Sequence, residues 1–201
     1  MSKTRAKKIK LLLFDVDGVM TDGKLWIFPA PAGAQQSITD PGLAEAAKGG
    51  APRMIEAKGF HAHDGTAISL ARLGGLKTGL ITRRSSETVA MRARDLKLDY
   101  AYQGVMVKVS IFEEILEKEQ ITAAEVAYIG DDVIDLPIMR RCGFAVAVAN
   151  ARDEVKQEAH WVTPHAGGDG AVRDAVEYIL RAQRSWDSAV KAYLERGDAP
   201  R

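Results

Sequence analysis

The sequence predicts an α/β fold, a doubly wound parallel sheet with a Rossmann-like core. Three observations carry this. Apolar runs of four to six residues, of buried-strand length, alternate with segments of helical period, the pattern of parallel strands joined by covering helices. Several runs lead straight into acidic or polar residues, at the edge where open α/β sheets bind ligands. The chain has 201 residues, with 28 Lys+Arg against 27 Asp+Glu and 46% hydrophobic residues. That composition suits one globular domain across residues 1–201.

Taken in order, five of the first ten residues are basic (Lys3, Arg5, Lys7, Lys8 and Lys10) and read as a solvated tail. Strands are expected at residues 9–14, 76–81, 100–102, 126–129 and 144–148, with a weaker one at 160–162. Ile68, Leu70, Ala71 and Leu73 fall at helical spacing and give a helix over 65–73 that stops at Gly74-Gly75. Ser85 is placed to cap a helix running to about residue 95. Ser110 with Glu113 reads as a capping box opening a helix to about 119, and Thr122 with Glu125 as a second box before the fourth strand. A helix from near Asp132 ends at Cys142-Gly143, with Met139 and Cys142 assigned to the core. Further helices are expected over 152–158 and 172–184, and a fraying terminal helix over 185–201.

Residues 29–52 break the pattern, with four of the seven prolines, four glycines and seven alanines. They predict a loop or an enlarged β-hairpin flap within an insertion spanning about 24–63, beside the carboxyl end of the first strand. A short helix is expected around residues 43–48, and Trp26 and Phe28 are expected to pack under the flap.

Composition also excludes several classes of function. Cys142 is the single cysteine, so neither a disulfide framework nor a multi-cysteine zinc site is available. A net charge of +1 argues against a nucleic-acid binder. No apolar run is long enough for a signal-peptide core or a membrane span, and the expected location is cytoplasmic. His61, His63 and His165 show no recognisable metal-ligand spacing.

The chemistry gathers after the strands. The first runs into Asp15-Val16-Asp17-Gly18-Val19-Met20-Thr21-Asp22-Gly23. Carboxylates at i and i+2 repel unless a cation lies between them or one keeps a proton. Read alone, this is equally a charged loop with Asp as turn former. The fourth strand ends likewise in Gly130-Asp131-Asp132-Val133-Ile134-Asp135. Two acidic clusters converging on one sheet edge make a hard-cation site suited to Mg²⁺, which favours one or two carboxylates together with waters and a phosphate oxygen. Leu80-Ile81 leads to Thr82-Arg83-Arg84-Ser85, a hydroxyl and cations at a helix N-terminus, a natural phosphate seat. Lys108 near a helix start opposes the macrodipole, so an anionic partner is expected beside it.

Asp-x-Asp, Thr, Lys and Gly-Asp-Asp in this order, each after an apolar strand, resemble the haloacid dehalogenase superfamily over nearly the whole chain. Closer still, residues 15–23, Phe60 with Asp64-Gly65, Tyr102-Gln103-Gly104 with Lys108, residues 128–137 (YIGDDVIDLP) and 165–173 (HAGGDGAVR) look like the 3-deoxy-D-manno-octulosonate 8-phosphate phosphatase group. That resemblance implies a capless fold, a homotetramer whose neighbouring subunits cover the site, and hydrolysis of a small sugar-acid phosphate. It implies Asp15 as nucleophile, Asp17 as acid and base, and Mg²⁺ held by Asp15, the Asp17 carbonyl and Asp131. Thr82 and Lys108 would hold phosphoryl oxygens, and Asp132 and Asp135 would orient Lys108 and metal-bound waters. Gly18 would leave room for substrate, with Asp64, Gly65, Arg83 and Arg173 as further substrate-binding candidates. The chain departs from the group's pattern at His63 and Asp169, where basic residues are usual, and at Arg83 and Val107. Two rival readings remain at this point, a signalling receiver domain and a catalytically weak oligomerisation or regulatory module.

Overall fold

The computed structural model describes residues 2–31 and 54–197. The elements run α1 (Ser2–Ala6), β1 (Leu11–Phe14), β2 (Trp26–Pro29), β3 (Met54–Ala57), α2 (Ala62–Leu73), β4 (Lys77–Ile81), α3 (Glu87–Leu96), β5 (Tyr100–Tyr102) and α4 (Lys108–Glu119). They continue with β6 (Val126–Gly130), α5 (Leu136–Met139), β7 (Phe144–Ala147), α6 (Asp153–Glu158), β8 (Trp161–Val162), α7 (Ala171–Gln183) and α8 (Trp186–Gly197). Six strands form one parallel sheet in the order β5-β4-β1-β6-β7-β8. β2 and β3 pair antiparallel as a separate small sheet.

The strand sequences explain their position. Leu11, Leu12, Leu13 and Phe14 are all buried, as are the residues of β6 and β7. Continuous apolar strands of this kind need cover on both faces. Each Leu, Ile, Val or Phe side chain among them contributes about 1.5–3 kcal/mol when fully buried. Helices α1, α2, α7 and α8 pack together, and α4, α5 and α6 contact one another in succession; right-handed crossovers on either side of β1 put the two groups on opposite faces. α7 shows why it docks: Val172, Ala175, Val176, Ile179 and Leu180 recur at three- and four-residue spacing and are buried.

All six expected strands are present, within two residues at each end. Four local expectations are corrected. The basic residues at the start are solvated as expected, but the segment is a docked helix and not a tail, because Ala6 is buried and Arg5 donates to the Gly143 carbonyl at 2.9 Å. The helix after β4 is capped by Ser86, whose hydroxyl accepts from Val89, rather than by Ser85. α4 begins at Lys108, so Ser110 and Glu113 lie inside it and form no opening box. The Thr122–Glu125 box does form, around a 3₁₀ turn. The helix expected from Asp132 is a 3₁₀ turn over Val133–Asp135 followed by the short α5. Pro137 there has no N–H to give, and the Asp135 carboxylate accepts from the backbone N–H groups of Asp131 and Asp132. The short helix expected around residues 43–48 lies outside the described residues.

Candidate active site

Asp15, Thr82 and Asp131 each stand one residue beyond the end of adjacent strands β1, β4 and β6. The chain leaves β1 toward β4 on one side and returns to β6 on the other, so this is the sheet's switch point, where the crevice opens. The register continues past β1, since the Asp15 N–H donates to the Ile129 carbonyl at 3.1 Å. The Thr82 N–H likewise donates to Tyr102 at 3.0 Å.

Lys108 is 4% exposed, and its Nζ lies 2.8 Å from both Asp15 Oδ2 and Asp135 Oδ1. These are the anionic partners its place at a helix start called for. Tyr128, wholly buried on β6, donates to Asp135 Oδ1 at 2.8 Å and lies 3.3 Å from Lys108 Nζ. Burial raises the Asp15 carboxyl to about 6; repulsion from Asp135 adds to this and Lys108 opposes it. Asp131 is pushed up to about 7, first by burial and then by Asp135, Asp15 and Asp132. Carboxylates so placed hold protons or a cation near neutral pH.

Asp15, Asp131 and Asp135 offer oxygens within 4.8 Å of one another. Asp135 is already saturated, with Oδ1 taken by Lys108 and Tyr128 and Oδ2 by the Asp131 and Asp132 N–H groups. Asp15 and Asp131 therefore have the lone pairs for a hard cation, which fits a Mg²⁺-type site. Asp132 is exposed and accepts from the Val133 N–H at 2.7 Å, acting as a cap. Of the two acids expected to orient Lys108, Asp135 is the one that touches it.

Gly18 sits at φ +85°, and a Cβ there would overlap the Asp131 carboxylate. Its importance is thus room for Asp131. Asn150, which sequence reasoning passed over, donates from Nδ2 to the Gly18 carbonyl at 3.3 Å and accepts from the Gly167 N–H at 2.6 Å. A Cβ at Gly167 would strike the Gly18 carbonyl. The two glycines let the loops following β1 and β8 touch backbone to backbone.

The small sheet also reaches this edge. Lys58, just past β3, forms an ion pair with Asp17 Oδ1, and its side chain is fully buried. Glu56 Oε1 lies 3.6 Å from Lys58 Nζ, Glu56 Oε2 accepts from Arg84 Nη2 at 3.0 Å, and Arg84 Nε is 3.8 Å from Asp17 Oδ2. Glu56 and Lys58 were not anticipated. The available signal was Glu-x-Lys spacing, which puts both on one face of an extended chain. Trp26 and Phe28 do not pack beneath this sheet: they are 54% and 46% exposed, next to exposed Leu25 and Ile27.

The remaining candidates make contacts of their own. Asp64 is buried in the first turn of α2 and accepts from the Arg173 N–H at 2.8 Å. Burial raises its carboxyl above the usual range. Gly65 abuts Arg92, and the Arg173 guanidinium lies over Trp186 at 4.8 Å. Arg83 is exposed, 4.0 Å from the Met106 sulfur, and lines a cavity of about 260 Å³ with Val107 and Lys108. His61 and His63 meet edge to face at 4.8 Å, with His61 3.9 Å from Asp169.

Residues 88–175 match the family model of haloacid dehalogenase-like hydrolases. The 3-deoxy-D-manno-octulosonate 8-phosphate phosphatase of Salmonella typhi is 36% identical over 186 residues, 92% of this chain and 87% of that protein. The crystal structure of the Yersinia pestis phosphatase of the same name superposes with a TM-score of 0.77 at 35% identity, covering 92% of this chain and 88% of that one. The Moraxella catarrhalis phosphatase, solved with magnesium, phosphate and KDO, gives a TM-score of 0.79 at 31% identity over 95% of this chain and 97% of that one. A carboxylate-lined switch point on this fold, with relatives matched over nine-tenths of the chain, makes the protein a member of the haloacid dehalogenase-like hydrolases, in the family of 3-deoxy-D-manno-octulosonate 8-phosphate phosphatases.

Proposed function

We propose that the protein hydrolyses a small sugar-acid phosphate, 3-deoxy-D-manno-octulosonate 8-phosphate or a related nonulosonate 9-phosphate, through an aspartyl-phosphate on Asp15. The observation that carries this reading is the convergence of Asp15, Thr82, Lys108 and Asp131 on one edge. Asp15, Asp131 and the Asp17 carbonyl would hold Mg²⁺. When bound, the ion supplies positive charge that screens the carboxylate from an anionic phosphate.

In the first step the Asp15 carboxylate oxygen bonds to phosphorus as the ester oxygen leaves, and Asp17 gives that oxygen its proton. In the second, Asp17 takes a proton from water while the water oxygen bonds to phosphorus, and the Asp15 carboxylate is released. Lys108, held by Asp135 and Tyr128, places its ammonium beside the nucleophile. Charge spread over equatorial phosphoryl oxygens in the transition state is then met by Lys108 and the Thr82 hydroxyl.

The substrate's sugar acid comes from the relatives' names and from the KDO in the Moraxella structure. The exposed run Leu25, Trp26, Ile27 and Phe28 supports assembly into the homotetramer, since contiguous apolar surface marks contact sites. Light scattering at micromolar concentration should give a tetramer, and a monomer would remove the shared site.

The test is phosphate release with Mg²⁺ from a panel of phosphomonoesters including eight- and nine-carbon sugar-acid phosphates. A strong preference for one of these acids is expected, with Asp15→Asn inactive. Broad, weak activity would discard the sugar acid. More than a few per cent of activity in Asp15→Asn would discard the nucleophile, and no activity in the wild type would favour a regulatory module.

A further inference from the structure

Asp17, Lys58, Glu56 and Arg84 close a ring of alternating charge in which each acid lies between two cations. We propose that Lys58, backed by Glu56, is a positioning residue that fixes which oxygen of Asp17 serves as acid and base. The inference rests on the acid–base assignment of Asp17. Lys58 Nζ engages Oδ1. Oδ2 lies 3.8 Å from Arg84 Nε, outside hydrogen-bond distance, and is the oxygen left to carry the proton to the leaving group.

The geometry holds Lys58 in that place. Its side chain is fully buried, with its ammonium set between the Asp17 and Glu56 carboxylates. The Glu56 carboxylate stands behind it at 3.6 Å and is itself held by Arg84. The Thr88 hydroxyl donates to the Glu56 carbonyl at 3.3 Å, tying the strand to the first turn of α3. Rotating the Asp17 carboxylate would therefore break its ion pair with the buried Lys58 ammonium, which removes the freedom that costs an acid catalyst its alignment.

The test uses the full-length protein with Mg²⁺ and a series of substituted phenyl phosphates, reading kcat/KM against leaving-group pKa. Proton donation matters most for poor leaving groups. Lys58→Met should lower kcat/KM about 100-fold on phenyl phosphate but only about 5-fold on p-nitrophenyl phosphate, steepening the dependence. Lys58→Arg, which keeps a cation on Oδ1, should restore the wild-type slope. Glu56→Gln should steepen it less, and serves as the test variant if Lys58→Met does not fold. A uniform fall across the series, or no fall, in whichever variant folds would overturn the proposal. Asp17→Asn separates the two readings. If it leaves the slope unchanged, the acid assignment fails and the inference with it; if it steepens the slope while Lys58→Met does not, only the role of Lys58 fails.

Discussion

At the carboxyl edge of the main sheet, Asp15, Thr82 and Asp131 each follow a strand end directly, so backbone register places them. Glu56 and Lys58 reach the same edge from the small sheet, whose approach rests on side-chain contacts to Asp17, Arg84 and Thr88. The first set inherits its precision from a buried core. The second sets its own position through the charges it brings, so each substitution there removes both a charge and part of the anchor. Burial differs too: Asp15 and Asp135 side chains are 5% and 0% exposed, while Asp17 and Glu56 are 23% and 12% exposed.

The largest effect that sharpens this contrast is on stability. Lys108→Met leaves two buried carboxylates facing each other and should cost about 3–5 kcal/mol in metal-free protein. Lys58→Met, with better hydrated acids, should cost less. Urea unfolding of both variants in chelator checks the order, and equal losses would erase the distinction between the two regions.

Next comes Gly18→Ala, which forces a methyl into the Asp131 carboxylate at a positive φ. Metal affinity should fall about 10–100-fold, measured by calorimetry, while the small sheet keeps its contacts. Unchanged affinity would show that Asp131 is not a ligand.

A smaller effect follows from protonation. The Asp15 and Asp131 carboxyls are raised to about 6 and 7 from an ordinary 3.8. The metal-free fold therefore binds more protons than the unfolded chain between these values, and it loses that stabilisation as pH rises from about 4 past 7. A divalent cation needs both groups ionised and replaces the lost protons. The Mg²⁺-dependent rise in Tm should be larger at pH 8 than at pH 5.5, and the reverse order would contradict the assigned pair.

The smallest effect lies away from both regions. Arg173→Ala removes a guanidinium stacked on Trp186 at 4.8 Å and should cost about 0.5–1 kcal/mol of stability. A raised KM with no change in stability would instead place Arg173 on a substrate.

The sequence made the carboxyl edge readable because each of its residues follows a strand of unbroken apolar character, and strand ends in a parallel sheet share one side. Lys108 was readable for a second reason, since a cation at a helix start demands an anion, and Asp15 and Asp135 supply two. Lys58 was hidden because its partner lies 41 residues away across an insertion without periodicity. Asn150 was hidden because its role is to hold two backbone loops, which leaves no local pattern. The α4 start was misplaced for a related reason: Ser110 and Glu113 have the capping spacing, but Lys108 is fixed by distant acids and sets the first turn.

In the proposed mechanism Asp15 carries the phosphoryl group between the two steps. Quenching steady-state turnover of a phosphomonoester in borohydride reduces an acyl-phosphate to an alcohol, and peptide mass spectrometry then locates it. Homoserine is expected at position 15 and nowhere else. Reduction at Asp17 or Asp131, or an unmodified chain quenched during active turnover, would contradict it.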